Sequence, residues 1–153
     1  MSADSLNWQN LDAHDLDFAI VVARFNSAIT EKLLAGAREA LSKAGAKTQQ
    51  VFYVPGAYEL PFAAKKLATR GGYSAIIALG AVIRGETYHF EVVANESARG
   101  VMEVALESGL PIANGILTTE DEAQAEARLE KGAEAVRVAV DMAKLRQQFR
   151  EDR

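Results

Sequence analysis

The chain has no cysteine among its 153 residues. Disulfides, thiolate zinc sites and cysteine nucleophiles are therefore excluded, and the composition fits a cytoplasmic protein. No apolar run approaches the roughly 20 residues that a membrane-spanning helix needs, and no signal peptide is visible. Positive charge is not in excess: 17 basic and 21 acidic residues leave a net charge of −4, which argues against nucleic acid or an anionic membrane as partner. Histidine is scarce, with two copies. His14 lies in a polar N-terminal stretch, so His89 is the imidazole expected to work in the folded core. Nucleotide and hydrolase signatures are missing too. Gly80 and Gly85 have the spacing of a phosphate-binding loop, but Glu86 stands where its lysine belongs. No G-x-G-x-x-G follows the first strand, and no group of histidines and carboxylates has metal-ligand spacing. Ser97 and Ser108 lie in helix bodies without a nucleophile elbow. Neither cofactor nor metal is expected.

What is present is a regular alternation. A chain of this length buries roughly 70% of its unfolded surface, enough for a single core. Residues 1–17 are polar and aspartate-rich and read as an N-terminal arm, with Trp8 and Leu11 as apolar anchors. Residues 18–149 read as one domain and 150–153 as a tail. Phe18–Ala23 is a continuous apolar run, the pattern of a strand covered on both faces. Asn26 or Ser27 can cap the helix that follows, in which Ile29, Leu33, Leu34, Ala37 and Leu41 share one face and Gly45 supplies the stop. Gln50–Val54 is the second strand. A helix over about Ala57–Thr69 follows, with Leu60, Ala64 and Leu67 inward and Pro61 in its first turns. Ser74–Leu79 is the third strand. The next helix turns Val93, Ser97, Val101 and Val104 inward and stops at Gly109. Pro111–Leu117 is the fourth strand. Thr119–Glu122 matches the S/T-x-x-E capping box of a further helix, and Gly132 separates it from the last, whose stripe is Ala135, Val136, Ala139, Met142 and Ala143. Strands alternating with helices predict a flavodoxin-like, three-layer α/β/α sandwich on a parallel sheet of four or five strands.

In such sheets ligands bind beyond the carboxyl ends of the strands. Those ends carry Arg24-Phe25-Asn26, Pro55-Gly56-Ala57, Gly80–Gly85 and Thr118-Thr119, all polar or glycine-bearing. Gly80–Phe90, GAVIRGETYHF, is the most informative stretch: a glycine-rich turn to cradle an anion, beside an imidazole that titrates near neutrality. His89 is thus either a proton-transfer group or a solvated residue at a helix start. Phe25 is either core or a ring that stacks on a planar heterocycle. Glu59 is explained by the helix dipole alone, and Arg84 by an ion pair or simple exposure. Arg128, between Glu126 and Glu130, is a solvated face residue or a phosphate ligand. Lys131 has a weaker claim.

Taken in order, Arg24-Phe25-Asn26, Val54–Pro61, Gly80–Phe90, Asn95-Glu96, and Gly115–Thr119 with Gln124-Ala125 and Arg128 carry a family resemblance. From about Phe18 to Leu145 the chain resembles the 6,7-dimethyl-8-ribityllumazine synthases of riboflavin biosynthesis. The resemblance implies a cofactor-independent transferase. It would condense 5-amino-6-(D-ribitylamino)uracil with 3,4-dihydroxy-2-butanone 4-phosphate, through an imine, loss of phosphate and ring closure. It implies that Phe25 stacks on the pyrimidine, and that Ala57, Tyr58, Glu59, Ala81, Val82 and Ile83 hold the ring edge and ribityl chain. It further implies that Glu86 and Thr87 meet the phosphate through backbone and hydroxyl, that Arg128 binds it as a cation, and that His89 transfers protons. The family also implies sites formed between subunits of a homopentamer, alone or in a sixty-subunit shell, and riboflavin synthase as a partner.

Two positions depart from the family. Many members carry phenylalanine where this chain has Asn114, a position that lines the site and is shared between subunits; its backbone role survives and its aromatic packing is lost. The link Leu129-Glu130-Lys131 before Gly132 is shorter than in many relatives, which bears on pentamer against shell and on any role of Lys131. A ligand-storing shell protein would use Phe25 and the rim but would not need His89 or Arg128.

Overall fold

A computed structural model describes residues 11–151, so Trp8, most of the expected arm and the last two residues lie outside it. Four strands form one parallel sheet in the order β2-β1-β3-β4. They are β1 (Asp17–Ala23), β2 (Thr48–Val54), β3 (Ala75–Ile83) and β4 (Ile112–Thr119). The sequence pattern dictates which strands are central. FAIVVA in β1 and all of β3 but its last residue are buried, as strands covered on both faces must be. TQQVFYV in β2 alternates and lies at an edge.

The helices divide between the two faces. Helices α1 (Ser27–Lys43) and α5 (Lys131–Glu151) pack one face, where Phe18, Ile20, Leu33, Leu41, Val136 and Ala139 meet. Helices α2 (Leu60–Arg70) and α3 (His89–Ser108) cover the other, around Leu60, Leu67, Ile76, Val93 and Val101. Removing one such leucine, Leu33 for example, costs about 2–5 kcal/mol through lost burial and the cavity left behind. Two glycines set the spacing on the α1/α5 face. A Cβ at Gly132 would run into the Leu33 carbonyl of α1, and one at Gly115 of β4 would sit 2.9 Å from the Ala78 carbonyl oxygen. Ahead of β1, Ala13 and Leu16 are buried in the same core.

The structure corrects several local expectations. Strand β2 begins at Thr48, two residues before Gln50, because its first residues pair with Asp17 and Phe18 although they are polar. Strand β4 runs over Ile112–Thr119, two residues past Leu117, because Thr118 and Thr119 continue its pairing with Val82 and Ile83. The segment from Ala57 opens as a single 3₁₀ turn, Ala57–Glu59, and α2 starts only at Leu60, with Pro61 in its first turn. Gly132 lies inside the first turn of α5 instead of dividing two helices. On α5 it is Val140 that turns inward, and Met142 is exposed. Asp121, not Thr119, caps α4 (Glu122–Glu126): its side chain accepts the Gln124 N–H at 2.8 Å, while Thr119 ends β4. Among the described residues, no helix is long and apolar enough to cross a membrane.

Candidate active site

After β1 the chain moves to β2 at one edge and then returns to β3 on the other side of β1. This reversal opens a crevice beyond the carboxyl ends of β1 and β3, the usual ligand position in such sheets. Phe25 leaves β1 there. Its N–H donates to the Pro55 carbonyl (2.9 Å), and that of Arg24 donates to the Val54 carbonyl (2.8 Å). The Phe25 ring is 67% exposed, so it is not a core residue. It lies against Gly56, where any Cβ would stand 2.6 Å from its Cδ2. Asn26 adopts a left-handed backbone (φ 65°) and makes no side-chain cap on α1. Its amide donates instead to the Ala81 carbonyl at 2.7 Å. The exit of β1 is thereby tied to β2 and β3 at once. Ala57, Ala81 and Val82 are buried beside it, Glu59 and Ile83 are half-buried, and Tyr58 is exposed.

Gly80–Ile83 belongs to β3 and is not a glycine-rich turn. Leu60, Ala57 and Ala23 surround Gly80, with atoms 3.4–3.6 Å from where its Cβ would be, an ordinary contact distance. Neither Gly80 nor Gly85 has positive φ. The anion cradle expected from them gives way to a shorter connection, residues 84–88, leading into α3. Glu86, Thr87, Tyr88 and His89 are all exposed along it. His89 is the first residue of α3, and its N–H makes a long contact (3.4 Å) with Thr87 Oγ1. Tyr88, at the N-cap, makes no side-chain cap, and its carbonyl accepts the Glu91 N–H (3.0 Å); an anion is favoured at such a helix start by the dipole.

Arg84 anchors the connection. Its guanidinium pairs with Glu91 in the first turn of α3 and with Glu120 (2.8 Å) just after β4. It also lies 4.4 Å from the centroid of the Phe90 ring, and its own N–H donates to the Thr119 carbonyl (2.9 Å). The Arg84 hydrogen bond holds the Glu91 carboxyl below the usual carboxylate range and, in return, raises the guanidinium above its ordinary value. Arg128 follows α4 in a turn, exposed, with one guanidinium N–H on the Gln124 carbonyl (2.8 Å). It makes no ion pair among the described residues, whereas its neighbour Glu126 pairs with Lys32 at 3.1 Å.

The rim therefore gathers Phe25, Ala57, Tyr58, Glu59 and Ala81–Ile83, flanked by Glu86, Thr87 and His89 on one connection and Arg128 on another. Asn114 stands apart. It pairs with Ala78 in mid-strand, five residues before the end of β4, or about 16 Å at the rise of a strand. It is exposed on the outer strand of the sheet, and its side chain accepts the Ile116 N–H (2.9 Å). Beside it, α3, β4 and α5 enclose an open apolar groove of about 800 Å³ whose walls include Met102, Leu106, Val138, Met142, Leu145 and Phe149. Lys131 is half-buried at the start of α5. Sequence reasoning missed the tie between Asn26 and Ala81 and the double pairing of Arg84. Glu91, seven residues after Arg84, was the one local signal of the latter.

Comparison with known proteins agrees across the chain. The family model described as 6,7-dimethyl-8-ribityllumazine synthase matches residues 15–147. The 6,7-dimethyl-8-ribityllumazine synthase of Nitrosomonas europaea is 55% identical over 139 residues, covering 89% of this chain and 85% of that protein. That of Paracidovorax citrulli is 53% identical over 146 residues, 94% and 95% of the two chains.

Proposed function

The chain belongs to the 6,7-dimethyl-8-ribityllumazine synthase family, and from that premise we propose that the rim beyond β1 and β3 is its active site. The reaction is the riboflavin-pathway condensation: 5-amino-6-(D-ribitylamino)uracil and 3,4-dihydroxy-2-butanone 4-phosphate give 6,7-dimethyl-8-ribityllumazine, phosphate and water. The enzyme is a transferase. The observation that carries the site is the exposed Phe25 ring against Gly56, with the buried Ala57 of the 3₁₀ turn and the buried strand end Ala81–Val82 beside it.

In this reading the pyrimidine stacks on Phe25, and Ala57, Tyr58, Glu59, Ala81, Val82 and Ile83 hold its edge and the ribityl chain. The phosphate of the second substrate lies between the start of α3 and Arg128. The N–H groups of a helix start and an unpaired guanidinium both favour a dianion. Glu86 contributes its backbone, Thr87 its hydroxyl. His89 moves protons as the imine forms and phosphate departs, a task suited to an imidazole. No cofactor takes part, and holding two substrates in register supplies much of the acceleration.

The catalytic unit is taken as residues 18–149, in a cytoplasmic homo-oligomer built from pentamers, with riboflavin synthase as the partner that consumes the product. Support for the assembly comes from the apolar groove along β4 and from Asn114 facing outward on that strand, where it would meet a neighbour's rim. Mixing the protein with both substrates and following lumazine absorbance tests the reaction. His89→Ala should lower kcat by roughly 10²–10⁴-fold, the usual worth of a general acid–base group, and leave pyrimidine affinity nearly intact. Unchanged turnover in that variant would remove His89 from its role.

A further inference from the structure

We infer that Arg84 is a positioning residue that fixes His89 relative to Arg128, an inference that rests on the roles proposed above for those two side chains. The guanidinium of Arg84 is held between two carboxylates, Glu91 through Nη1 and Glu120 through Nε at 2.8 Å, with the Phe90 ring 4.4 Å away. Both pairs tie it to the elements on either side, and it acts through them. Toward His89 the path is short, because Glu91 lies two residues later in the same helical turn. Toward Arg128 the path is a chain of hydrogen bonds. The Glu120 N–H donates to Gln124 Oε1 at 2.8 Å, and the Gln124 carbonyl accepts the Arg128 guanidinium at 2.8 Å.

Apolar packing holds the flanks, Phe90 against the α2/α3 core and Leu129 against the α1/α5 core. Residues 84–89 are all exposed, and the pairing of β3 with β4 ends at Ile83 and Thr119. The carboxylates of Glu91 and Glu120 also flank a place where a dianion must approach. Arg84 offsets their charge while using them as anchors. A planar guanidinium can hold two carboxylates in fixed directions, which an ammonium cannot. Arg84 is thus a brace across the gap between the two connections, beside the backbone bond of its own N–H to the Thr119 carbonyl.

The test is steady-state kinetics with each substrate varied, on Arg84→Ala, Arg84→Lys and Glu120→Ala, with His89→Ala as reference. Arg84→Ala should lower kcat roughly 10–100-fold, as expected for a displacement of about 1 Å at the reacting groups. Its KM for the sugar phosphate should rise about tenfold, and that for the pyrimidine should stay within about twofold, because Phe25 is held by different bonds. Arg84→Lys should recover part of the loss. Glu120→Ala should shift the same two constants by a smaller factor, and combining it with Arg84→Ala should add little, since both remove one link. Glu120 is 61% exposed in its side chain, so its variant keeps the fold and carries the test even if Arg84→Ala does not fold. Wild-type constants in Arg84→Ala and Glu120→Ala beside a slow His89→Ala would overturn the inference, as would an equal rise in KM for both substrates. A fast His89→Ala would instead remove the reading beneath it.

Discussion

At one end of the rim, Phe25, Ala57 and Ala81–Val82 sit on or next to the last residues of buried strands. At the other end, Glu86, Thr87, His89 and Arg128 are exposed and ride on connections and a first helical turn. The first end is positioned by backbone: Phe25 by the Pro55 carbonyl, Asn26 by the Ala81 carbonyl, the ring by the missing Cβ of Gly56. The second is positioned by charge, through Arg84 and its two carboxylates. In the proposed reading the difference follows the ligands. A flat heterocycle is recognised by shape and stacking, which rigid strand ends supply. A dianion is recognised by field and by donors that face water until it arrives, which strand ends buried on both faces cannot offer.

The contrast can be broken or sharpened by substitution. Arg128→Ala should raise KM for the sugar phosphate by about 10–100-fold, the worth of a charged hydrogen bond, with the thermal midpoint unmoved. A fall in midpoint to match would mean that this end, too, is structural. Gly56→Ala should behave in the opposite way. Its Cβ would displace the Phe25 ring, raising the pyrimidine KM about tenfold and lowering stability by about 1–3 kcal/mol through overpacking, as measured by denaturant titration. If it spared stability, the strand-end half would be softer than its bonds imply. The smallest effect is that of acid. Glu91 is held below the usual carboxylate range in the folded protein, so the stabilisation from its pair with Arg84 is complete above that range. It fades as pH falls through the lowered value. Glu91→Gln should therefore flatten slightly the decline of melting temperature below about pH 4. An unchanged decline would show that the brace adds nothing to stability and matters only to geometry.

The fold was legible where pattern is set by burial alone. Phe18–Ala23 and Ala75–Leu79 are continuous because both of their faces are covered, and Val93, Ser97, Val101 and Val104 fall inward with the period of a helix. Boundaries failed where a residue type signals one thing locally and serves another in space. Gly80 reads as a turn, yet it lies inside β3 with Leu60 and Ala57 packed beside it. Asn26 reads as a cap, yet its amide reaches a carbonyl 55 residues away. Thr119-x-x-Glu122 and Asp121-x-x-Gln124 are overlapping boxes, and the pairing of Thr119 with Ile83 decides between them. Met142 fits the stripe of α5 by period, but it lines the groove beside β4 while Val140 fills the core. Of the candidate site, the rim segments could be read from their positions after strands. The brace could not, because Glu120 lies 36 residues from Arg84 in sequence.

The bond between Asn26 and the Ala81 carbonyl has a consequence in time as well as in space. Strand β1 is translated before both of its partners in the sheet, which follow tens of residues later, and the second of them ends at Ile83. Parallel pairings of this kind close long loops before any contact rewards them, so they form slowly. Until β2 and β3 have both docked beside β1, Phe25 lacks its Pro55 carbonyl or Asn26 lacks that of Ala81. The aromatic platform is therefore a late product of folding, set beside Asn26 and completed by Ala81, which is translated 55 residues later. A nascent chain shorter than about this length would hold a hydrophobic strand with no site on it.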